Sequence, residues 1–177
     1  MNRDLQFIFS RRSVRKFQDR TISDAMITDI LEAAMAAPSA VKKDPWHFVV
    51  IRNRETLDLI AGILPHGKML TRAAAGLLVC GDIEKAHDQL ESYMLQDCSA
   101  AIENALLAAN ALGLGACWLG IHPRKERIEA LRQLFRLPEN IVPISAIALG
   151  FPGEEPEART RYNRELVHWE TWGGAPP

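Results

Sequence analysis

Residues 89–111 read QLESYMLQDCSAAIENALLAANA, and residues 112–121, LGLGACWLGI, follow directly. Alanines at positions 100, 101, 105, 108 and 109 recur with helical spacing and give the first stretch a face of small side chains. Such a face lets another backbone approach closely. We therefore predict one long helix that packs centrally, in the core or in a subunit interface. Gly113 and Gly115 end it, and residues 117–121 predict a buried strand.

Shorter apolar patterns on either side predict further helices and strands. The helices are predicted over 4–12, 24–36, 54–64 and 125–135, and the other strands over 46–51, 76–80 and 142–149. Ser23 is placed to cap the second helix, and Pro38 lies just beyond its end. No repeat or linker divides the chain, so residues 1–177 are expected to form a single domain.

The last part of the chain departs from this pattern. Its first residues are rich in glycine, proline and charge, and Leu166, Val167, Trp169 and Trp172 follow. A disordered tail seldom carries such groups, because their burial stabilises by about 25 cal/mol per Å². We expect a core over 1–153 and an extension over 154–177 that docks on the core or on a partner subunit.

Composition narrows the class of protein. The chain has 177 residues, 47% apolar and 24% charged, as in an ordinary soluble domain. Its 21 Lys plus Arg nearly balance 22 Asp plus Glu, so neither nucleic acid nor an anionic membrane is an expected partner. Cys80, Cys98 and Cys117 are widely spaced, which indicates reduced thiols in the cytoplasm. No apolar run is long enough for a membrane span, and no signal peptide is recognised.

Familiar catalytic motifs are broken or absent. Residues 62–69, GILPHGKM, match a phosphate-binding P-loop except that Met69 replaces the hydroxyl residue, and the preceding segment is helical in period. The glycines of 113–120 have the wrong spacing for a dinucleotide fingerprint. The five histidines form no ligand pair of zinc-site spacing. We expect no metal site and no side-chain nucleophile.

The segment 11–17, RRSVRKF, concentrates four cations and a hydroxyl group. Guanidinium forks and a serine hydroxyl suit a phosphate group. A solvated basic surface has the same composition, so the run alone leaves both interpretations open.

Four motifs together resemble a known family. They are RRSVRKF at 11–17, APSAVKKDPWHF at 37–48, GLGACWLG at 113–120 and ALGFPGEEPEARTR at 148–161, and their order and spacing are similar to those of the flavin-dependent nitroreductases. The resemblance covers nearly the whole chain. It implies an α+β fold with a central mixed, mainly antiparallel sheet flanked by helices, in an intertwined homodimer that binds FMN.

The resemblance assigns the phosphate of FMN to the basic residues. Arg11 and Ser13 would hold the phosphate, and Arg12 would lie nearby. Arg159 and Arg161 match the basic pair that returns to the phosphate from the end of the chain.

The flavin ring would meet a second set of residues. Arg15 and Lys68 would approach its pyrimidine edge. Backbone groups of Trp118, Leu119 and Gly120 would lie against the ring near its reactive N5 atom.

A loop of the other subunit would complete the site. Pro38, Ser39 and Ala40 would cover the dimethylbenzene side of the ring. Where the family usually has Asn and Gln before Pro-Trp, this chain has Lys42 and Asp44. Lys42 either reaches the cofactor or a substrate anion, or pairs with Asp44 at the surface. Substrate range is the property that these two changes affect.

The implied activity is the oxidation of NADH or NADPH with ping-pong kinetics, because the flavin carries the redox chemistry. Nitroaromatics, quinones and similar electron-poor small molecules are the expected acceptors, and no side chain need act as a nucleophile. Two alternatives stay open. One is a flavoenzyme of the same family with dehydrogenase, dehalogenase or flavin-consuming chemistry, and the other is a flavin-binding sensor or storage protein.

Overall fold

Helices and strands form where the apolar spacing predicts them. The structure is a computed structural model that describes residues 2–177. Its helices are α1 (Gln6–Ser10), α2 (Asp24–Met35), α3 (Arg54–Ile63), α4 (Glu91–Ala111) and α5 (Lys125–Phe135), and its strands are β1 (Trp46–Ile51), β2 (Ala75–Asp82), β3 (Gly115–Gly120) and β4 (Ile141–Gly150). The bounds of β1 and α5 agree with those predicted, and the other predicted bounds differ at one or both ends.

The first helix shows the largest of these differences, because it begins two residues after and ends two residues before the predicted positions. A 3-10 turn precedes α1, and Arg11 leaves the helix with an extended backbone. The chain then forms an isolated parallel bridge between Ser13 and Ala116. Pairing with β3 is a long-range contact, so the local helical pattern of residues 4–12 carries no sign of it.

The four strands form one sheet in the order β1-β2-β4-β3, and each neighbouring pair is antiparallel. The Ser13–Ala116 bridge adds a parallel contact at the β3 edge. The expected α+β fold with a mainly antiparallel sheet is confirmed.

The two faces of the sheet bury two separate cores. Leu77 and Val79 of β2 pack in the core that contains residues of α2 and α4, whereas Leu78 and Cys80 pack in the core that contains residues of α3 and α5. This alternation follows from the two-residue period of a strand. β2 and β4 therefore lie between layers of helices and are the most deeply buried strands.

The long helix α4 occupies the central position expected of it. Ala101, Ala105 and Ala109 are almost fully buried, and α4 packs against α2, β2 and β3. Small side chains permit this close approach. The structure thus places these three alanines in the core, whereas Ala100 and Ala108 of the same helix are half-buried.

The extension separates into an anchored part and an exposed part. The Arg12 guanidinium donates to the carbonyl of Glu157, and the amide of Arg159 donates to the carbonyl of Phe9 at 3.3 Å. Beyond these contacts, Leu166 is 76% exposed and Trp172 is 91% exposed. Within a single chain, these large apolar groups remain largely open to solvent.

Cys80, Cys98 and Cys117 are buried free thiols. Burial raises the pKa of Cys80 and of Cys98 to about 12, so both stay protonated and unreactive near neutral pH. Across residues 2–177, no helix is both long and apolar enough to cross a membrane.

Candidate functional site

The basic segment is held along the edge of β3. The amide of Val14 donates to the carbonyl of Ala116 at 2.9 Å, beside the Ser13–Ala116 bridge. Val14 packs directly over Gly115, where an added Cβ would lie 2.7 Å from Val14 Cγ1. This close approach requires glycine at position 115, and it fixes where the residues on either side of Val14 point.

Glu154 secures the same segment from the opposite side. One carboxylate oxygen accepts from the amides of Arg15 at 2.7 Å and Lys16 at 3.2 Å. These backbone bonds lower the pKa of Glu154, with the nearby cations adding to the effect. Glu154, the first residue of the extension, therefore fixes the position of the basic segment 11–17.

Five arginines converge on one cleft of about 360 Å³. Its lining consists of Ile8, Arg11, Arg12, Ser13, Arg15, Arg159 and Arg161. All five residues assigned to the phosphate are thus brought together, although they come from opposite ends of the sequence. No carboxylate belongs to this lining. Glu103 lies at its margin, with its Oε1 atom 3.3 Å from the Nε atom of Arg11.

The positive charges of this cluster repel one another. Arg12, and then Arg161, lower the pKa of Arg159, because adjacent positive charges disfavour its protonated form. A bound anion would relieve that repulsion. The cleft is therefore suited to a multiply charged anion such as a phosphate group.

A second cavity, of about 520 Å³, adjoins this cleft and shares Arg15 with it. It is lined by Arg15, Leu64, Pro65, His66, Lys68, Met69, Cys117, Trp118, Leu119, Gly120 and Arg127. The residues assigned to the flavin ring are therefore together in one place. Apolar walls with cations around them are suited to a flat ligand that carries or acquires negative charge.

Sequence analysis missed several lining residues. Lys68 begins a 3-10 helix after α3, and the preceding turn contributes Leu64, Pro65 and His66. Arg127 comes from the first turn of α5, and its Nη1 atom donates to the carbonyl of Gly120 at 2.9 Å. No local motif marks Arg127, because its place at the cavity depends on how α5 packs against β4 and α3.

The loop with Pro38, Ser39, Ala40 and Lys42 lines neither cavity of its own chain. Its residues Val41, Lys42 and Asp44 have φ of 52°, 56° and 46°. Non-glycine residues adopt such angles only where surrounding contacts impose them.

Hydrogen bonds within and around the loop impose this conformation. The Ser39 hydroxyl donates to the Asp44 carboxylate at 2.5 Å, and the Asp44 amide donates to Ser39 Oγ at 3.0 Å. The ammonium group of Lys85 donates to the carbonyl of Asp44 at 2.8 Å. Among residues 2–177, no ion pair joins Lys42 to Asp44, so the interpretation that pairs them is wrong: Asp44 is engaged by Ser39 instead.

Asp97 of α4 anchors the same loop from the core. Its Oδ1 atom accepts from the amide of Ala40 at 2.9 Å, and the side chain is buried. Its Oδ2 atom has no hydrogen-bond partner among residues 2–177. We expect Asp97→Ala to lower the free energy of unfolding by about 1 to 3 kcal/mol, because the Ala40 amide loses its acceptor.

Urea unfolding of the wild type, Asp97→Ala and Asp97→Asn measures the free energy of unfolding of each protein. The asparagine variant retains an oxygen acceptor and should lose less stability than the alanine variant. Equal losses in the two variants would show that the hydrogen bond to Ala40 is not what Asp97 contributes.

A cationic cleft beside a larger, apolar-walled cavity, with Arg15 in both linings, is suited to a flat molecule with an anionic tail. The sequence profile of the Nitroreductase family matches residues 8–66 and 63–151. The chain belongs to the nitroreductase family.

Individual relatives agree with this membership. A protein of Archaeoglobus fulgidus with the provisional name NADH dehydrogenase/NAD(P)H nitroreductase is 47% identical over 175 residues, covering 97% of this chain and 100% of that protein. An FMN reductase (NAD(P)H) of Bacillus subtilis is 26% identical over 189 residues, covering 97% of this chain and 75% of that protein. A provisionally named nitroreductase of Desulfovibrio desulfuricans, solved in complex with FMN, matches with a TM-score of 0.83 and 35% identity, over 97% of this chain and 98% of that one.

Proposed function

We propose that this protein is an FMN-dependent NAD(P)H oxidoreductase of the nitroreductase type. The convergence of five arginines and Ser13 on a cleft that shares Arg15 with a larger, apolar-walled cavity carries this proposal. FMN has the matching parts, a phosphate tail and a flat ring system. The FMN complex of one relative and the name of another support the same cofactor.

The arginine cluster would hold the phosphate. Arg11, Arg12, Arg159 and Arg161 offer guanidinium forks, and Ser13 offers a hydroxyl donor. Because the cluster spans both ends of the sequence, binding would also fix the extension to the core. The residues present therefore fit the phosphate end of FMN in both charge and hydrogen-bond donors.

The second cavity would hold the ring. When bound, FMN supplies hydride transfer from NADH or NADPH to an acceptor. Arg15 and Lys68 would stabilise the negative charge that develops during this transfer. Leu119 and Trp118 supply apolar walls that limit the access of water.

Both substrates would use this same cavity in turn, so ping-pong kinetics are expected. Electron-poor nitroaromatics and quinones are the proposed acceptors, because they are flat and accept electrons readily. This proposal requires neither a metal nor a side-chain nucleophile.

A homodimer would complete the site. The loop 38–44 lines neither cavity of its own chain and is held rigid, as a loop that covers a partner's cofactor should be. An exposed apolar groove between α1, α2 and α4 is lined by Phe7, Ala33, Ala36, Asn104, Leu107, Ala108 and Ala111. Its burial against a second copy is proposed.

The extension would dock on the partner, since its large apolar groups are exposed within one chain. We expect truncation after Tyr162, which keeps Arg159 and Arg161, to weaken the dimer while the phosphate cleft remains. Light scattering over a concentration series measures the dimer. The variant Arg136→Ala, an exposed position outside the lining of both cavities, is the control. A truncated protein with an unchanged dimer would contradict partner docking.

An anaerobic spectrum of the purified protein tests the proposed activity. We expect the visible absorbance of bound FMN, bleaching by NADH or NADPH, and recovery when a quinone is added. Bound flavin that neither nicotinamide cofactor bleaches would indicate the sensor or storage alternative. A protein that binds no FMN would contradict the proposal as a whole.

A cytoplasmic location accompanies this proposal. Three free, buried thiols are typical of a reducing compartment, where disulfides do not persist.

A further inference from the structure

One cation of the larger cavity has no part in the proposed cofactor site. Arg127 is half-buried and fixed by its hydrogen bond to the carbonyl of Gly120 at the end of β3. A guanidinium group has five N–H donors, so four remain for another partner. Because the group is already oriented, binding an anion would cost little further conformational entropy.

Arg127 lies away from the phosphate cleft. Arg15 is close enough to Cys117 to act on the pKa of that thiol, whereas Arg127 contacts Gly120. Cys117 and Gly120 are three residues apart in β3, a separation of about 10 Å along the strand. The larger cavity therefore has one cationic end beside the phosphate cleft and another at Gly120.

The charge of this second end is not neutralised by the protein. No carboxylate belongs to the cavity lining, and within residues 2–177 no acidic group forms an ion pair with Arg127, Lys68 or Arg15. His66 follows α3, which packs against α5, and it adds a further polar group to the lining. An anionic ligand would supply the missing negative charge.

We propose that Arg127, with His66 in the lining of the same cavity, forms an anion-binding subsite that selects flat acceptors carrying a carboxylate or phosphate group. The flat part would lie against the apolar walls formed by Leu64, Met69 and Trp118. This inference rests on the proposed function, since it concerns the second substrate of the same cavity. The phosphates of NAD(P)H are the competing source of an anion, and the assays below distinguish them from the acceptor.

Two acceptors that differ only in charge test the subsite. The FMN-loaded protein is assayed with NADH and either 4-nitrobenzoate, which is anionic, or methyl 4-nitrobenzoate, which is neutral. We expect Arg127→Gln to raise the KM for 4-nitrobenzoate at least about tenfold, because a charge-assisted contact is lost. The KM for the neutral ester should change little, and Arg127→Lys should retain part of the preference.

The neighbouring Arg124→Gln provides a matched control. Arg124 precedes α5, is exposed and does not line the cavity, so neither KM should change. If Arg127→Gln acted only by losing the hydrogen bond to Gly120, the KM values for both acceptors would change by the same factor. Equal changes with the two acceptors in Arg127→Gln, or no change at all, would overturn the subsite.

A binding measurement separates the subsite from turnover. Benzoate, which cannot be reduced, is titrated into the oxidised FMN-loaded protein and its binding is followed by the shift in visible absorbance. We expect weaker binding by about tenfold in Arg127→Gln and unchanged binding in Arg124→Gln. Equal benzoate affinity in all three proteins would contradict the proposal.

The KM for NADH, measured in the same variants, shows whether the anion belongs to the acceptor or to the dinucleotide. A KM increase confined to NADH in Arg127→Gln would overturn the selection of anionic acceptors and would assign Arg127 to the dinucleotide phosphates instead. Failure of the proposed function would look different, because the protein would then bind no FMN or would not be reduced by NADH.

Discussion

Replacing Arg11 by alanine is expected to weaken FMN binding by roughly 10- to 150-fold. A hydrogen bond to a charged group contributes about 1.5 to 3 kcal/mol, and each 1.4 kcal/mol is about tenfold in affinity. The loss also leaves Glu103 without its partner at 3.3 Å, so a carboxylate would face the phosphate unopposed. Quenching of FMN fluorescence on titration with apoprotein measures the dissociation constant.

Two further variants identify the cause of the Arg11 effect. Arg11→Lys keeps the positive charge but loses the paired N–H donors of the guanidinium group. Its affinity for FMN should therefore lie between those of the wild type and Arg11→Ala. Glu103→Gln removes the competing carboxylate and should leave FMN binding equal or tighter. An unchanged affinity in Arg11→Ala would remove this residue from the phosphate site.

Replacing Gly115 by alanine is expected to reduce both stability and FMN binding. The added Cβ would lie 2.8 Å from the Cβ of Val14, so the backbone of one segment must shift. Overpacking of this kind costs typically about 1 to 3 kcal/mol. The shift would move Ser13 and Arg15 relative to β3, so the phosphate cleft and the ring cavity would both lose their alignment.

The variant Gly62→Ala is the matched control for this effect. An added Cβ at Gly62, in α3, meets nothing within 4 Å. Alanine in a helix is more favourable than glycine by about 0.5 to 1 kcal/mol, so the control should be slightly more stable and bind FMN normally. Thermal unfolding and FMN titration compare the two proteins. A Gly115→Ala protein with normal FMN affinity would show that Val14 does not position the basic segment.

The helices and strands were predictable because their signals are local. The apolar period of α5 and the β-branched run of β1 each predicted the observed bounds. The end of α1 was not predictable in the same way. Its last turn is replaced by pairing of Ser13 with Ala116, and the two residues are far apart in sequence.

The phosphate cleft was only partly predictable. A run such as RRSVRKF is equally typical of a solvated surface, and only the four-motif resemblance linked it to Arg159 and Arg161. Local patterns gave no indication of Arg127, since arginine in the first turn of a helix is ordinary and its role depends on what lies opposite.

By itself, the sequence determined the helices and strands, the central place of α4 and, through its motifs, the family. Those properties depend on the periodicity and identity of residues, and both are local features of the sequence. Only the tertiary structure decided that Asp44 is bound by Ser39, that Val14 packs on Gly115 and that Arg127 meets Gly120. Each of these is a contact set by the relative position of backbone segments, and such positions follow from the packing of the whole fold.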